Sequence, residues 1–83
     1  MDTLDRIRAM AAKRFGGDPQ AIDPDVALEQ LGADSLGYLE FLFDLEEAFG
    51  ITIDQDAATG IRNLRALGVL IDELLSAKAS AAP

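Results

Sequence analysis

Apolar residues recur along this chain at helical spacing, and their pattern divides it into helices separated by one long connection. Leu4, Ile7, Ala11 and Phe15 share one face of a helix predicted over 3–15; Asp2 or Thr3 can cap its start, and Gly16-Gly17 stop it. Residues 16–33 contain Pro19 and Pro24, so they read as a loop, yet Ile22, Val26, Leu28 and Leu31 can fasten that loop to a core. A second helix is predicted over 35–49, closed by Gly50 and followed by the short apolar run 51–53. Asp54 can cap a brief helical turn that ends near Gly60. Asn63 can cap a last helix over 64–75, where Leu64, Leu67, Ile71 and Leu74 fall on one face. Gly68 inside that helix costs about 1 kcal/mol relative to Ala, which the close approach of a neighbouring helix would explain. The expected fold class is all-α: a four-helix bundle of three main helices plus one short helix, with a long loop between helices 1 and 2. Residues 1–75 are expected to form the domain and 76–83 a disordered C-terminal tail.

The second helix carries more apolar surface than folding requires. At about 100° per residue, Tyr38, Phe41, Leu42, Leu45, Ala48 and Phe49 cover one broad arc, assigned to the core. Leu36, Leu39 and Phe43, at i, i+3 and i+7, form a second and narrower stripe, flanked by Glu40 and Glu47 on one side and Glu46 on the other. A stripe set among carboxylates has the anatomy of a docking strip, with an apolar centre and a charged rim. The alternative is that the bundle wraps this helix and buries both stripes.

Composition narrows the chemistry. With 83 residues, the chain makes one small domain that buries about 60–65% of its unfolded surface, too little for a deep internal active site. A hydrophobic content of 49% and a mean hydropathy of +0.13 are too high for a disordered chain. No apolar run approaches the roughly 20 residues of a membrane span. The start, MDTLDRIRAM, lacks a basic region followed by an apolar core, so a cytoplasmic protein is expected. There is neither Cys nor His, which removes thiolate nucleophiles, thiolate–zinc sites and the commonest base at neutral pH. A thioester chemistry would need its sulfur from an attached cofactor.

The net charge of −8 is unevenly spread: from Gly16 to Ile61 there are eleven acids and no Lys or Arg. Such a field repels nucleic acid and anionic lipid and steers basic partners inward. It is equally what a purely solubilising surface would look like.

Ser35 opens the second helix, where orphan N–H groups and the helix dipole favour a phosphodiester. A Ser in this place is also an ordinary N-cap, and Asp34 can do that job too. No His or Lys stands in sequence to activate the hydroxyl, so Ser35 suits modification by another enzyme better than catalysis. The run Leu31-Gly32-Ala33-Asp34-Ser35-Leu36 resembles the attachment motif of acyl carrier proteins. It is followed, as in that family, by Leu39-Glu40 and by Leu45-Glu46-Glu47-Ala48-Phe49-Gly50.

That resemblance implies that Ser35 accepts 4′-phosphopantetheine from coenzyme A, transferred by an Mg²⁺-dependent phosphopantetheinyl transferase. The arm's thiol then carries acyl groups for acyl-transfer, condensing and reducing enzymes of fatty-acid or related lipid and polyketide biosynthesis. It implies docking of basic patches on Asp34, Leu36, Leu39, Glu40, Phe43, Glu46 and Glu47. It also implies an acyl-chain pocket around Leu45, Phe49, Ile53 and Ile61. A monomer without catalysis of its own, nucleic-acid binding or membrane insertion is expected.

Three features depart from the family pattern. Gly37 stands where many fatty-acid carriers have an acid, Phe41 and Phe43 are bulkier than usual, and Ala57 and Ala58 make the short helix less acidic. They leave a specialised pathway as open as a general one. A peptidyl or aminoacyl carrier is the nearest alternative. A calcium protein is a remoter one, because loops begun at Asp54 or Asp23 put Thr59 and Arg65, or Leu28 and Asp34, where an EF-hand needs Gly and Glu.

Overall fold

Residues 2–81 are described by the structure, a computed structural model, and among them lie four α-helices: α1 (Thr3–Phe15), α2 (Ser35–Phe49), α3 (Gln55–Ala58) and α4 (Leu64–Ala81). Every helix starts where a side chain can accept an otherwise unpaired N–H. Asp2 takes that of Asp5 at 2.8 Å, Asp34 that of Gly37 at 2.7 Å, Asp54 that of Asp56 at 2.9 Å, and Asn63 that of Ala66 at 2.9 Å. α2 ends on Gly50, whose φ of +64° is the left-handed conformation that a Cβ would penalise.

Three helices meet along one line of fully buried side chains: Ile7 from α1, Phe41 and Leu45 from α2, and Leu64, Leu67 and Ile71 from α4. Burying each contributes about 1.5–3 kcal/mol before the entropy of folding is set against it. Phe15 closes the α1 end by meeting Phe41 edge-to-face, with ring centres 5.5 Å apart. The Arg6 guanidinium lies 4.1 Å from the centre of the Phe49 ring, toward the opposite end of the same helix pair.

The long connection is not slack. It contains short 3₁₀ turns at Pro19–Ala21 and Leu28–Leu31, and Ile22, Leu28 and Ala33 are buried. Two backbone bonds stitch it to the start of α4: the Leu28 N–H to the Arg62 carbonyl (2.8 Å) and the Arg65 N–H to the Pro24 carbonyl (3.1 Å). The Arg65 guanidinium also donates to Asp25, which holds that carboxyl below its ordinary pKa. The chain therefore arrives at Ser35 along a path fixed at both ends.

Two expectations are corrected. Ala48, assigned to the core arc of α2, is exposed because it sits at the edge of that arc, where its carbonyl accepts from Arg6 at 3.4 Å. The last helix does not stop at 75, and the expected disordered tail is helical as far as Ala81; residues 82 and 83 lie outside the described residues. The added turns include Ala77, Ala79 and Ala81, strong helix formers. They also carry Lys78, whose ammonium donates to the Gly50 carbonyl at 2.7 Å.

Gly68 does lie against α1, but a methyl there would sit 3.7 Å from Leu4 Cδ1 and 3.8 Å from Ile7 Cδ1, ordinary contact distances. Gly68→Ala is therefore expected to stabilise the fold by about 0.5–1 kcal/mol, raising the melting temperature by several degrees. A fall in melting temperature would show that the α1–α4 packing is tighter than this geometry.

Candidate functional site

Asp34 and Ser35 share the head of α2 but do different work. The Asp34 carboxylate accepts the Gly37 N–H, so Asp34 is the cap and the exposed Ser35 hydroxyl is not committed to that role. The N–H groups of Ser35 and Leu36 have no acceptor within the helix and carry the positive end of its dipole. A phosphodiester oxygen on Ser35 meets favourable electrostatics there. Gly32, with φ of +96°, ends the preceding 3₁₀ turn and lets buried Ala33 reverse the chain into the cap. Gly37 is held in a narrow space: a Cβ would stand 3.0 Å from Asp34 Oδ1 and 3.5 Å from the Phe15 ring. Packing by α1 over this turn accompanies the departure from the acidic pattern.

A groove of about 510 Å³ opens beside Ser35, bounded by the loop, α2 and the α3–α4 connection. Leu28, Ala33, Tyr38 and Ile61 make its apolar side, while Glu29, Thr59 and Arg62 make its polar rim. Tyr38 braces it, donating its hydroxyl to the Ala58 carbonyl at 3.0 Å; partial burial pushes the phenol pKa up, keeping it a donor. Of the four residues expected to surround an acyl chain, Ile61 lines this groove. Leu45, Phe49 and Ile53 are packed into the core at 0%, 7% and 6% exposure.

Beyond Ser35 the second stripe of α2 stays open. Leu36 is 64% and Phe43 53% exposed, with Leu39 half-buried between them, so the bundle does not cover both stripes. The carboxylates around it are not equivalent. Glu47 is exposed and makes no ion pair among the described residues. Glu46 turns toward the following segment and accepts the Ile53 N–H at 2.7 Å. Glu40 is bound at 2.8 Å by Arg14 of α1, which also donates to Asp44 at 2.5 Å. The hydrogen bond to Asp44 is the largest of the influences that raise the Arg14 pKa.

Sequence reasoning did not anticipate Arg14, the Glu46–Ile53 bond, or the roles of Tyr38, Thr59 and Arg62 in the groove. The i, i+4 spacing of Glu40 and Asp44 was the available hint of a paired acidic site. The two Asp-x-Asp runs considered for calcium form turns: Asp23 accepts the Asp25 N–H and Asp54 the Asp56 N–H, each at 2.9 Å.

Residues 5–71 match the family described as "Phosphopantetheine attachment site". The chain is 34% identical over 77 residues to an acyl carrier protein of Phenylobacterium zucineum, covering 92% of this chain and 98% of the relative. To an acyl carrier protein of Zymomonas mobilis it is 33% identical over 73 residues, covering 87% of this chain and 94% of the relative. It is also 33% identical over 79 residues to the chloroplastic acyl carrier protein 1 of Spinacia oleracea, but spans only 57% of that protein's length.

Proposed function

The chain belongs to the acyl carrier protein family, with 4′-phosphopantetheine as its prosthetic group, and we propose that Ser35 is the attachment point and that the open face of α2 is what partner enzymes read. One observation carries the first part: Ser35 is an exposed hydroxyl at a helix N-terminus whose capping duty Asp34 has taken. The site fits the group, since the first-turn N–H groups of α2 stabilise a phosphodiester and the adjacent groove can receive the arm. When bound, the group supplies the thiol for a thioester, which a chain without cysteine cannot provide. With no His in the chain, the transfer to Ser35 falls to a phosphopantetheinyl transferase.

On this reading the polypeptide is a carrier and not a catalyst, delivering acyl groups within fatty-acid or related lipid or polyketide synthesis. Asp34, Leu36, Leu39, Glu40, Phe43, Glu46 and Glu47 dock transferring, condensing and reducing enzymes through basic patches. Leu36 and Phe43 supply the apolar anchors, and Glu47 the least encumbered charge. Ile61 touches both groove and core, so a long acyl chain would enter past it toward Leu45, Phe49 and Ile53. The reading includes a cytoplasmic, monomeric carrier; no helix of the described residues is long and apolar enough to cross a membrane.

Incubation with coenzyme A, Mg²⁺ and a broad-specificity transferase tests the attachment: intact mass should rise by one phosphopantetheine, and an unmodified protein would refute it. For the docking face, Phe43→Ala and Glu47→Lys should each raise the transferase KM by about three- to thirtyfold, with melting temperature within a few degrees of wild type. Unchanged KM for both would remove the strip as a docking surface.

A further inference from the structure

The acidic face of α2 is already occupied at one edge. Arg14, from the end of α1, spans the helix pair and binds two carboxylates one turn apart, Glu40 at 2.8 Å and Asp44 at 2.5 Å. A lone guanidinium between two carboxylates has the arrangement that a partner's arginine would adopt on the same strip. Lys13 stands beside it on α1. A groove of about 640 Å³ between α1 and α2 is lined by these two cations, by Asp44 and Glu47, and by Met10 and Ala48. Glu47 shares that groove but makes no ion pair among the described residues, and Phe43 and Leu36 stay exposed, whereas Glu40 and Asp44 are held.

We propose that Arg14 is an internal counter-ion that sets partner specificity, masking Glu40 and Asp44 so that the strip favours protein surfaces whose cations reach Glu47 around an apolar socket and disfavours those whose basic patch must cross Glu40 and Asp44. The proposal rests on the docking reading above and deepens it. All three side chains are partly solvent-exposed, at 30%, 47% and 39%, so the ion pairs add little to folding and are open to competition. A partner arginine aimed at Glu40 or Asp44 must displace Arg14 or meet its like charge. Such repulsion suppresses wrong partners more than it tightens right ones.

The test uses the full chain and a phosphopantetheinyl transferase, on this proposal a basic partner that spans the whole acidic edge of α2, Glu40 and Asp44 as well as Glu47. Arg14→Gln should lower the transferase KM by about two- to tenfold at low ionic strength, leave kcat unchanged, and steepen the rise of KM with salt. The gain should vanish when Arg14→Gln is combined with Glu40→Gln and Asp44→Asn, because no masked charge then remains. An Arg14→Gln KM that is unchanged or higher overturns the proposal, as does a gain that survives in the triple variant. Phe43→Ala in the same assay separates the two ideas. If it raises KM while Arg14→Gln does nothing, only the counter-ion falls; if neither changes KM, the docking strip falls with it. Helicity and melting temperature of Arg14→Gln should match wild type, and low-salt binding gain with an unchanged fold is not what a merely structural tie would produce.

Discussion

Ser35→Ala is expected to abolish phosphopantetheine incorporation completely while leaving the fold as stable as wild type. Both halves follow from the division of labour at the head of α2. Asp34 holds the Gly37 N–H, so removing the Ser35 hydroxyl takes away no cap, and Ala is a better helix former than Ser. The loss should be total because none of the other hydroxyl residues, Thr3, Tyr38, Thr52, Thr59, Ser76 and Ser80, lies within the Leu31–Leu36 motif. Intact mass after transferase treatment reads the first half, and a thermal melt the second. Labelling that persists in the variant would place the attachment elsewhere. A melting temperature lowered by many degrees would instead make Ser35 a structural residue.

Phe41→Ala is expected to bring the protein close to unfolding, in contrast to Phe43→Ala two residues along the same helix. Phe41 is fully buried and packs edge-to-face against Phe15, so truncation loses apolar burial and leaves a cavity, together about 3–5 kcal/mol. A chain of 83 residues has roughly 4–12 kcal/mol of total stability at ~0.05–0.15 kcal/mol per residue. One side chain thus represents a large part of the whole. Denaturant titration followed by helicity should show a much lower midpoint, and loading of Ser35 should suffer only as far as the protein unfolds. A cost under about 1 kcal/mol would mean that this face of α2 is not the core.

The sequence pattern was enough to read α1 and α2 to their last residues, and to find the caps Asp54 and Asn63. Those features are local: a cap and a 3.6-residue period need only their own segment. The end of α4 was missed because residues 76–81 carry no large apolar side chain to extend the stripe that ends at Leu74. The alanines of that stretch favour helix, and Lys78 finds the Gly50 carbonyl only when α4 lies beside the end of α2. Ala48 was misplaced for the opposite reason, since a helical wheel gives an arc but not how far neighbouring helices extend around it.

At Ser35 the sequence by itself determined the residue type, its place at a helix start and the motif around it. It also determined the two stripes of α2, because spacing within one helix is independent of what packs against it. Tertiary structure decided three things. It showed that Asp34 caps and Ser35 does not, that the second stripe stays open, and that a groove meets the serine through residues as far along the chain as Arg62. It also undid the clean separation of charge. The stretch without a single Lys or Arg meets Arg14, Arg65 and Lys78 in the folded protein, each brought in from outside it. Sequence position records charge along a line, whereas ion pairing depends on distance through the packed bundle, at the ~4 Å range where opposite charges attract strongly.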